Sequence, residues 1–272
     1  MRVFESAANV DLPDRRVAVS GDWHGNLGWL RAWAPAIRRL APDVTTIFQV
    51  GDWWVDPVAT DAIFTATEIT RVFVTLGNHE AWGEITPLLA AHPGQAVRVS
   101  EVTWLLPRPS RVRVGGRGVL SLGGAASVDR LWRVEGRDWW PDEEITDEQV
   151  AAAIAGGPTD VLLTHESPEG TPVPEVGDVL RTNPQGWPDA ALEASTRSRQ
   201  QVTRVWGAVD AALLVHGHMH VAGSGALPDG RRVVALGRDG FPGNLGLLDL
   251  ETLHMEIPPL FEILTATRPT HD

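Results

Sequence analysis

The sequence predicts an α/β fold in which parallel strands are covered by helices. Three observations carry this. Short apolar runs at 16–20, 45–50 and 71–76 alternate with segments whose apolar residues recur at helical intervals. Each run ends in a glycine followed by a polar residue: Gly21-Asp22, Gly51-Asp52 and Gly77-Asn78. The chain has 272 residues and no cysteine, long enough to bury about three quarters of its unfolded surface without disulfides.

The elements follow in order. Residues 16–20 form a strand leading to Asp22 and His24. In 26–40, Leu27, Leu30, Trp33, Ala34, Ile37 and Leu40 share one helical face. A strand at 45–50 ends at Gly51-Asp52, a helix covers 57–67, and a strand at 71–76 ends at Gly77-Asn78-His79. This β-α-β-α-β pattern puts each polar cluster just past the C-terminal end of a parallel strand, where ligands bind in open α/β sheets. Further strands are expected at 97–105, 111–114 and 119–122, the last two joined by the Gly115-Gly116-Arg117-Gly118 turn.

Residues 128–144, charged and holding Trp132, Trp139 and Trp140, read as an insertion or lid after Gly123-Gly124. A helix at 147–155 and a strand at 160–163 lead to His165. Residues 169–188, rich in Pro and Gly, read as loop. A helix follows at 189–209 with Asp189 as its N-cap, then a strand at 211–215 ending at His216-Gly217-His218-Met219-His220. Strands at 231–236 and 245–250 are expected to close a second sheet. No repeat or linker divides the chain, so 1–272 is expected to form one domain.

Composition narrows the function. The net charge is -12 and all 23 basic residues are Arg, which argues against a general nucleic-acid binder. Without cysteine, any metal must be held by imidazole, carboxylate and amide oxygen. Residues 1–16 contain no apolar core like that of a signal peptide, and no run approaches the roughly 18 apolar residues of a membrane span. The cytoplasm is the expected compartment, with no membrane partner.

Five separated segments carry the chemistry: Gly21-Asp22-Trp23-His24-Gly25-Asn26, Gly51-Asp52, Gly77-Asn78-His79-Glu80, Thr164-His165-Glu166-Ser167-Pro168 and His216-Gly217-His218-Met219-His220. Read in this order, the series resembles the calcineurin-like metallophosphoesterase superfamily. A single Asp-x-His is weak, but five motifs in order, each after an apolar run, are specific. The resemblance implies two facing mixed β-sheets flanked by helices, a four-layer αββα sandwich. It also implies two divalent ions, drawn from Mn, Fe, Zn, Co and Ni with Mn favoured. Asp52 would bridge them. Asp22, His24 and His220 would complete one site, and Asn78, His165 and His218 the other. A water shared by two such ions is acidified toward neutrality, and its hydroxide can attack phosphorus in line.

His79 is expected to assist the leaving group as general acid or hydrogen-bond donor, with Glu80 a supporting carboxylate. His216 is expected to pack or support; His92, His254 and His271 match no motif. One departure matters. The Ser/Thr protein phosphatase branch carries Gly-Asp-x-x-Asp-Arg-Gly, whereas here Asp56 comes one residue late and Pro57 follows it. Arg130, Arg133 or Arg137 can replace the missing arginine, or the three can pair with the acids of the same segment, Asp129, Glu135 and Asp138. Arg130, Trp139 and Trp140 are the expected substrate contacts. Trp23, Trp53, Trp54 and Trp82 also lie near the motifs, to stack on a ligand or to pack. The expected substrate is a small phosphorylated molecule, nucleotides included. Protein phosphatase, phosphodiesterase and nuclease activity, or a non-catalytic metal-binding scaffold, are the alternatives.

Overall fold

The computed structural model describes residues 1–265; His271 lies outside them. Two mixed sheets face each other. In spatial order the first holds β1 (Glu5–Ala7), β6 (Ala96–Arg98), β7 (Thr103–Leu105), β5 (Arg71–Val74), β4 (Thr46–Gln49), β3 (Arg16–Ser20), β14 (Leu245–Asp249) and β15 (Met255–Glu256). The second holds β12 (Gly223–Ala226), β13 (Arg232–Ala235), β11 (Leu213–His216), β10 (Val161–Thr164), β9 (Arg117–Leu122), β8 (Ser110–Val114) and β2 (Asp11–Leu12). Strands β3, β4, β5 and β7 run parallel, as do β9, β10, β11 and β13.

Strand alternation sorts the side chains into three apolar layers. Val17, Val19, Phe48 and Phe73 point between the sheets and meet Val161, Leu163, Leu213 and Val215 from the other side. Phe48 and Phe73 stack there with centroids 5.4 Å apart. Ala18, Ile47, Val72 and Val74 point outward against α1 (Leu27–Leu40), α2 (Pro57–Ala66), α3 (Trp82–Ala91) and α7 (Leu260–Thr265). Leu120, Leu162 and Leu214 face α4 (Asp147–Ala155), α5 (Pro174–Thr182) and α6 (Asp189–Val209). The αββα sandwich follows because both faces of each central strand are apolar and both must be covered.

Local chemistry sets the helix starts. The Asn26 side chain accepts from the Trp29 amide at α1, and Asp56 accepts from the Val58 amide at α2, with Pro57 in the first turn. Thr146 and Gln149 form a capping box at α4. Asp189 is the first residue of α6; its cap is Pro188, without a side-chain bond, so the expected N-cap role is corrected.

Four other expectations change. Residues 97–105 split into β6 and β7, because the buried Asp61 carboxylate accepts from Ser100 Oγ (2.7 Å) and the Glu101 amide (3.0 Å) and folds the chain into a turn. The strand at 245–250 joins the first sheet, antiparallel to β3 with Leu245 opposite Ser20, rather than the second. Its residues are apolar on both faces, so their pattern held no sheet identity. The 169–188 segment contains α5 and is not all loop. Helix α3 is an addition to the expected elements; Pro87 inside it and Gly83 near its start weaken the periodic signal. Among the described residues no helix is long and apolar enough to cross a membrane.

The C-terminal edges of the two sheets converge. Gly51, just past β4, adopts φ +99°, and a Cβ there would run into the His165 imidazole from the other sheet. Gly51→Ala should therefore destabilise the metal-free protein by about 2 kcal/mol or more, from strained backbone and steric conflict together. Thermal unfolding should show a Tm at least about 4 °C lower; an unchanged Tm would show that the loops from the two sheets do not press together there.

Candidate metal centre

Each predicted ligand sits on a loop leaving the C-terminal end of a central strand. Asp22 and His24 follow β3, Asp52 follows β4 and Asn78 follows β5. His165 follows β10, and His218 and His220 follow β11. The fold brings all seven together. His24, Asp52, His218 and His220 have φ of 44, 52, 65 and 57°, in the left-handed region that non-glycine residues seldom occupy. Such backbone persists only where surrounding contacts over-determine it, and it concentrates at functional sites.

Asp52 lies at the middle, buried, with an oxygen toward each half. Oδ2 is 3.5 Å from His24 Nε2, and Oδ1 is 3.3 Å from His165 Nε2. Asp22, His24, Asp52 and His220 present ligand atoms all within 4.8 Å of one another, close enough to hold one cation. His220 Nε2 stands 3.2 Å from Asp22 Oδ2, and the His24 and His220 rings meet edge to face at 4.8 Å. Across Asp52, Asn78 Oδ1 lies 2.9 Å from His165 Nε2, and the His218 ring is 4.8 Å from that of His165.

These residues fit a cation. The buried Asp22 Oδ2 and Asp52 Oδ2 have no well-formed hydrogen bond and face only the ring nitrogens of His220 and His24. His165 Nδ1 donates to the Val50 carbonyl at 2.8 Å, so it is Nε2 that faces Asn78 Oδ1 and Asp52 Oδ1, and loss of its proton would turn a lone pair toward them. Acceptors crowded at one point require positive charge. The pKa shifts express the same demand. Burial, the largest influence, opposes charge on His24 and His165. Hydrogen bonding to Asp52 and the negative charges of Asp52 and Asp22 outweigh it, raising His24 to about 9 and His165 to about 10. Burial would raise Asp52, yet His165 and His24 hold it well below the usual carboxylate range. His218, buried beside His165, is pushed well below the usual imidazole range.

Supporting groups aim the ligands. Asp239 Oδ1 lies 2.8 Å from His24 Nδ1, which turns Nε2 toward Asp52, and Asp239 Oδ2 accepts from Asn26 Nδ2 at 2.6 Å. Ser127 Oγ accepts from Asn78 Nδ2 at 2.9 Å, leaving the amide oxygen facing inward. Asn244 is buried and donates to the Asp22 and Gly237 carbonyls while accepting from Trp29 Nε1. Glu80 accepts from the Gly77, Trp53 and Trp54 amides, so it ties the Asn78 loop to the Asp52 loop. Burial, then the charge of Asp52, raises Glu80 to about 6. Sequence reasoning missed Asp239, Asn244 and Ser127. None carried the motif signal: even Asp239 lies two residues past Gly237 with Arg238 between, whereas Asp22, Asp52 and Asn78 directly follow their glycines. His216 is buried, hydrogen-bonds the Gly217 carbonyl, and is lowered to about 4 by burial; it packs as expected.

In the 128–144 segment the expected substrate contacts make contacts within the protein. Its arginines pair internally: Arg130 with Glu135 at 3.7 Å, Arg133 with Asp129 at 2.8 Å and Arg137 with Asp138 at 3.0 Å. Arg130 lies over the buried Trp139 ring at 3.6 Å, and Trp140 packs against Gly83 of α3. Arg130, Trp139 and Trp140 thus help to hold the flap against the domain. Arg133 turns inward instead and contacts the His79 imidazole. Trp23, Trp53 and Trp82 are core residues, whereas Trp54 is 52% exposed with its ring 5.4 Å from that of His79. Trp54 therefore stands at the mouth of the site beside His79.

Two outcomes follow. The chain should take up divalent ions with proton release, and affinity should fall as pH drops below about 10, since the ions must displace the His165 and His24 protons. Calorimetry in buffers of different ionisation enthalpy checks this. Asp52→Asn, measured by metal analysis, should lose metal; full retention would remove Asp52 from the ligand set.

The flap yields a second test. Burial raises Glu143 to about 7, with Oε1 accepting from the Ser127 amide and Oε2 4.0 Å from Arg133. A folded-state pKa above the ordinary 4.5 means that folding favours the protonated form, so this group's contribution to stability declines as pH rises from about 4.5 through 7. Glu143→Gln should gain Tm over the parent across that window and match it in acid. A gap independent of pH would contradict the burial argument.

Comparison with known proteins agrees with the fold. A family model described as calcineurin-like phosphoesterase matches residues 15–222. No match was found among curated proteins. Among solved structures, the TT1561 protein of Thermus thermophilus is similar in fold, with a TM-score of 0.53 and 16% identity, covering 90% of this chain and 98% of that one. A dimetal phosphatase from Danio rerio has a TM-score of 0.49 and 12% identity, covering 88% of this chain and 93% of that one.

Proposed function

The chain belongs to the calcineurin-like phosphoesterase family, and from that premise we propose that it is a metal-dependent hydrolase of a small phosphate ester. The observation that carries this reading is the convergence of Asp22, His24, Asn78, His165, His218 and His220 on the central Asp52. Asp22, His24, Asp52 and His220 would hold one ion. Asn78, His165 and His218 would hold a second, with Asp52 shared. Divalent ions bound there, of which manganese is our first choice, supply Lewis acidity and an activated water.

The rest falls to the chain's own side chains. Arg133 is a planar, permanently charged donor suited to phosphoryl oxygens, and it reaches the site beside His79. Asp129 holds it in place by bonds of 2.9 Å to Nε and 2.8 Å to Nη2. His79 is fixed by its amide, which donates to Asp52 Oδ1 at 2.9 Å. Burial lowers its pKa; Asp52 opposes that shift and Arg133 reinforces it, so the free chain carries a neutral imidazole. A phosphate group next to Arg133 restores negative charge and favours the protonated ring, which can then assist the leaving oxygen.

A protein phosphatase reading is weaker. Asp56 and Pro57 start helix α2, so the segment where that branch carries its arginine is used for capping. The net charge of -12 disfavours a nuclease.

Turnover of a panel of phosphomonoesters, phosphodiesters, nucleotides and a phosphopeptide by metal-loaded protein tests the proposal; no turnover of any would leave a metal-binding scaffold. His79→Ala should reduce kcat about 10²-fold or more with metal content unchanged, and more severely for alkyl than for nitrophenyl leaving groups. Arg133→Ala should mainly raise KM. Equal losses across leaving groups would make His79 a positioning residue.

A further inference from the structure

A cavity of about 140 Å³ opens beside His218 and His220, between α5 and α6. Its walls are Val179 and Leu180 of α5, Leu192 of α6, Val128 at the start of the flap, and Met219 from between the two histidines. Trp187 closes it from the loop joining α5 to α6. We propose that this cavity receives an apolar ester group of the substrate, about the size of one aromatic ring. The proposal rests on the phosphoesterase reading and names the substrate class for the same site.

Position comes first. The cavity shares His218 and His220 with the metal centre, and Val128 follows Ser127, which holds the Asn78 amide. A substituent on a phosphate bound at the centre therefore meets the cavity within a few bonds.

Its chemistry comes next. The Asn183 side chain donates to the Trp187 carbonyl (2.9 Å) and accepts from the Trp187 amide (2.8 Å), while Ser195 Oγ accepts from Arg199 Nη1 at 2.6 Å. Asn183 and Ser195 are thus engaged with the protein, and Gln185, the remaining uncharged polar residue of the lining, is exposed; deeper in, a base or sugar would set its polar atoms mostly against apolar walls. A hydrocarbon ring loses nothing there. A cavity of about 150 Å³ lined by apolar side chains holds benzene, so size points the same way.

The walls are also preformed. Asn183, at φ 42°, fastens the loop that carries Trp187. Trp187 packs against Trp132 of the flap with centroids 5.3 Å apart. The Trp132–Trp187 contact straps the flap to the helical side of the cavity, so little ordering remains for a ligand to impose.

The test compares ethyl and benzyl phosphate, whose alkoxide leaving groups are similar in basicity. The parent enzyme, loaded with manganese, should show a KM about tenfold lower for benzyl phosphate. Leu192→Trp, which fills the cavity, should bring the ratio of the two KM values close to one. Equal KM values in the parent overturn the proposal, as does an undiminished preference in a folded Leu192→Trp protein. A binding measurement stands apart from turnover. Benzylphosphonate should shift the NMR methyl signals of Val179, Leu180, Leu192 and Met219, and methylphosphonate should not; identical spectra for the two overturn the proposal. If neither ester is hydrolysed but benzylphosphonate moves those methyls, the cavity assignment holds and the hydrolase reading fails.

Discussion

The site depends on one buried carboxylate held at the seam between two sheets. Asp52 sits in left-handed backbone after β4, with one oxygen 3.5 Å from His24 and the other 3.3 Å from His165. These histidines come from different sheets, so Asp52 can face both only if the sheets are stacked with their C-terminal edges together. The layer of Val17, Val19, Phe48 and Phe73 against Val161, Leu163, Leu213 and Val215 does this stacking. A buried anion without compensation is costly, and here compensation comes from residues that also suit a cation. The hydrophobic core and the polar site are thus parts of the same arrangement: one brings the loops together, and the other makes that closeness tolerable only with positive charge between them.

A ring of ordinary hydrogen bonds converts proximity into direction. Val50 aims His165, Asp239 aims His24 and Ser127 aims Asn78. Asn244 spans the Asp22 loop, the Gly237 carbonyl and helix α1, and Glu80 gathers three amides of two neighbouring loops. None of these side chains needs to touch a reacting group. Each removes a rotation that would let a ligand atom turn away, which is how precise sites are supported from outside their first contacts.

The flap shows how charge can serve packing and chemistry at once. Three arginines pair with three acids within 128–144, yet one of them, Arg133, has a side chain only 7% exposed and contacts His79. Asp129 holds it from one side and Glu143 lies 4.0 Å away. Arg108, lowered to about 10 by burial, lies over Trp82 and hydrogen-bonds the Asp142 and Glu144 carbonyls, anchoring the far end of the segment. The flap is therefore a packed wall of the site with one cation turned inward.

By itself the sequence determined the α/β class, the parallel β3, β4 and β5 with their intervening helices, and the identity of the residues that gather around Asp52. These were legible because they are local: an apolar run, a glycine and a polar residue record where a strand stops, and their order along the chain is specific. Only the tertiary structure decided which sheet takes 245–250, since a strand apolar on both faces fits either. It alone separated Arg133 from Arg130, and Trp54 from Trp139 and Trp140, because neighbours in sequence point in different directions once the flap is folded. It also recruited Asp239, Asn244 and Ser127, which lie far from the motifs along the chain. Their roles arise from distance in space, and neither composition nor spacing records that distance.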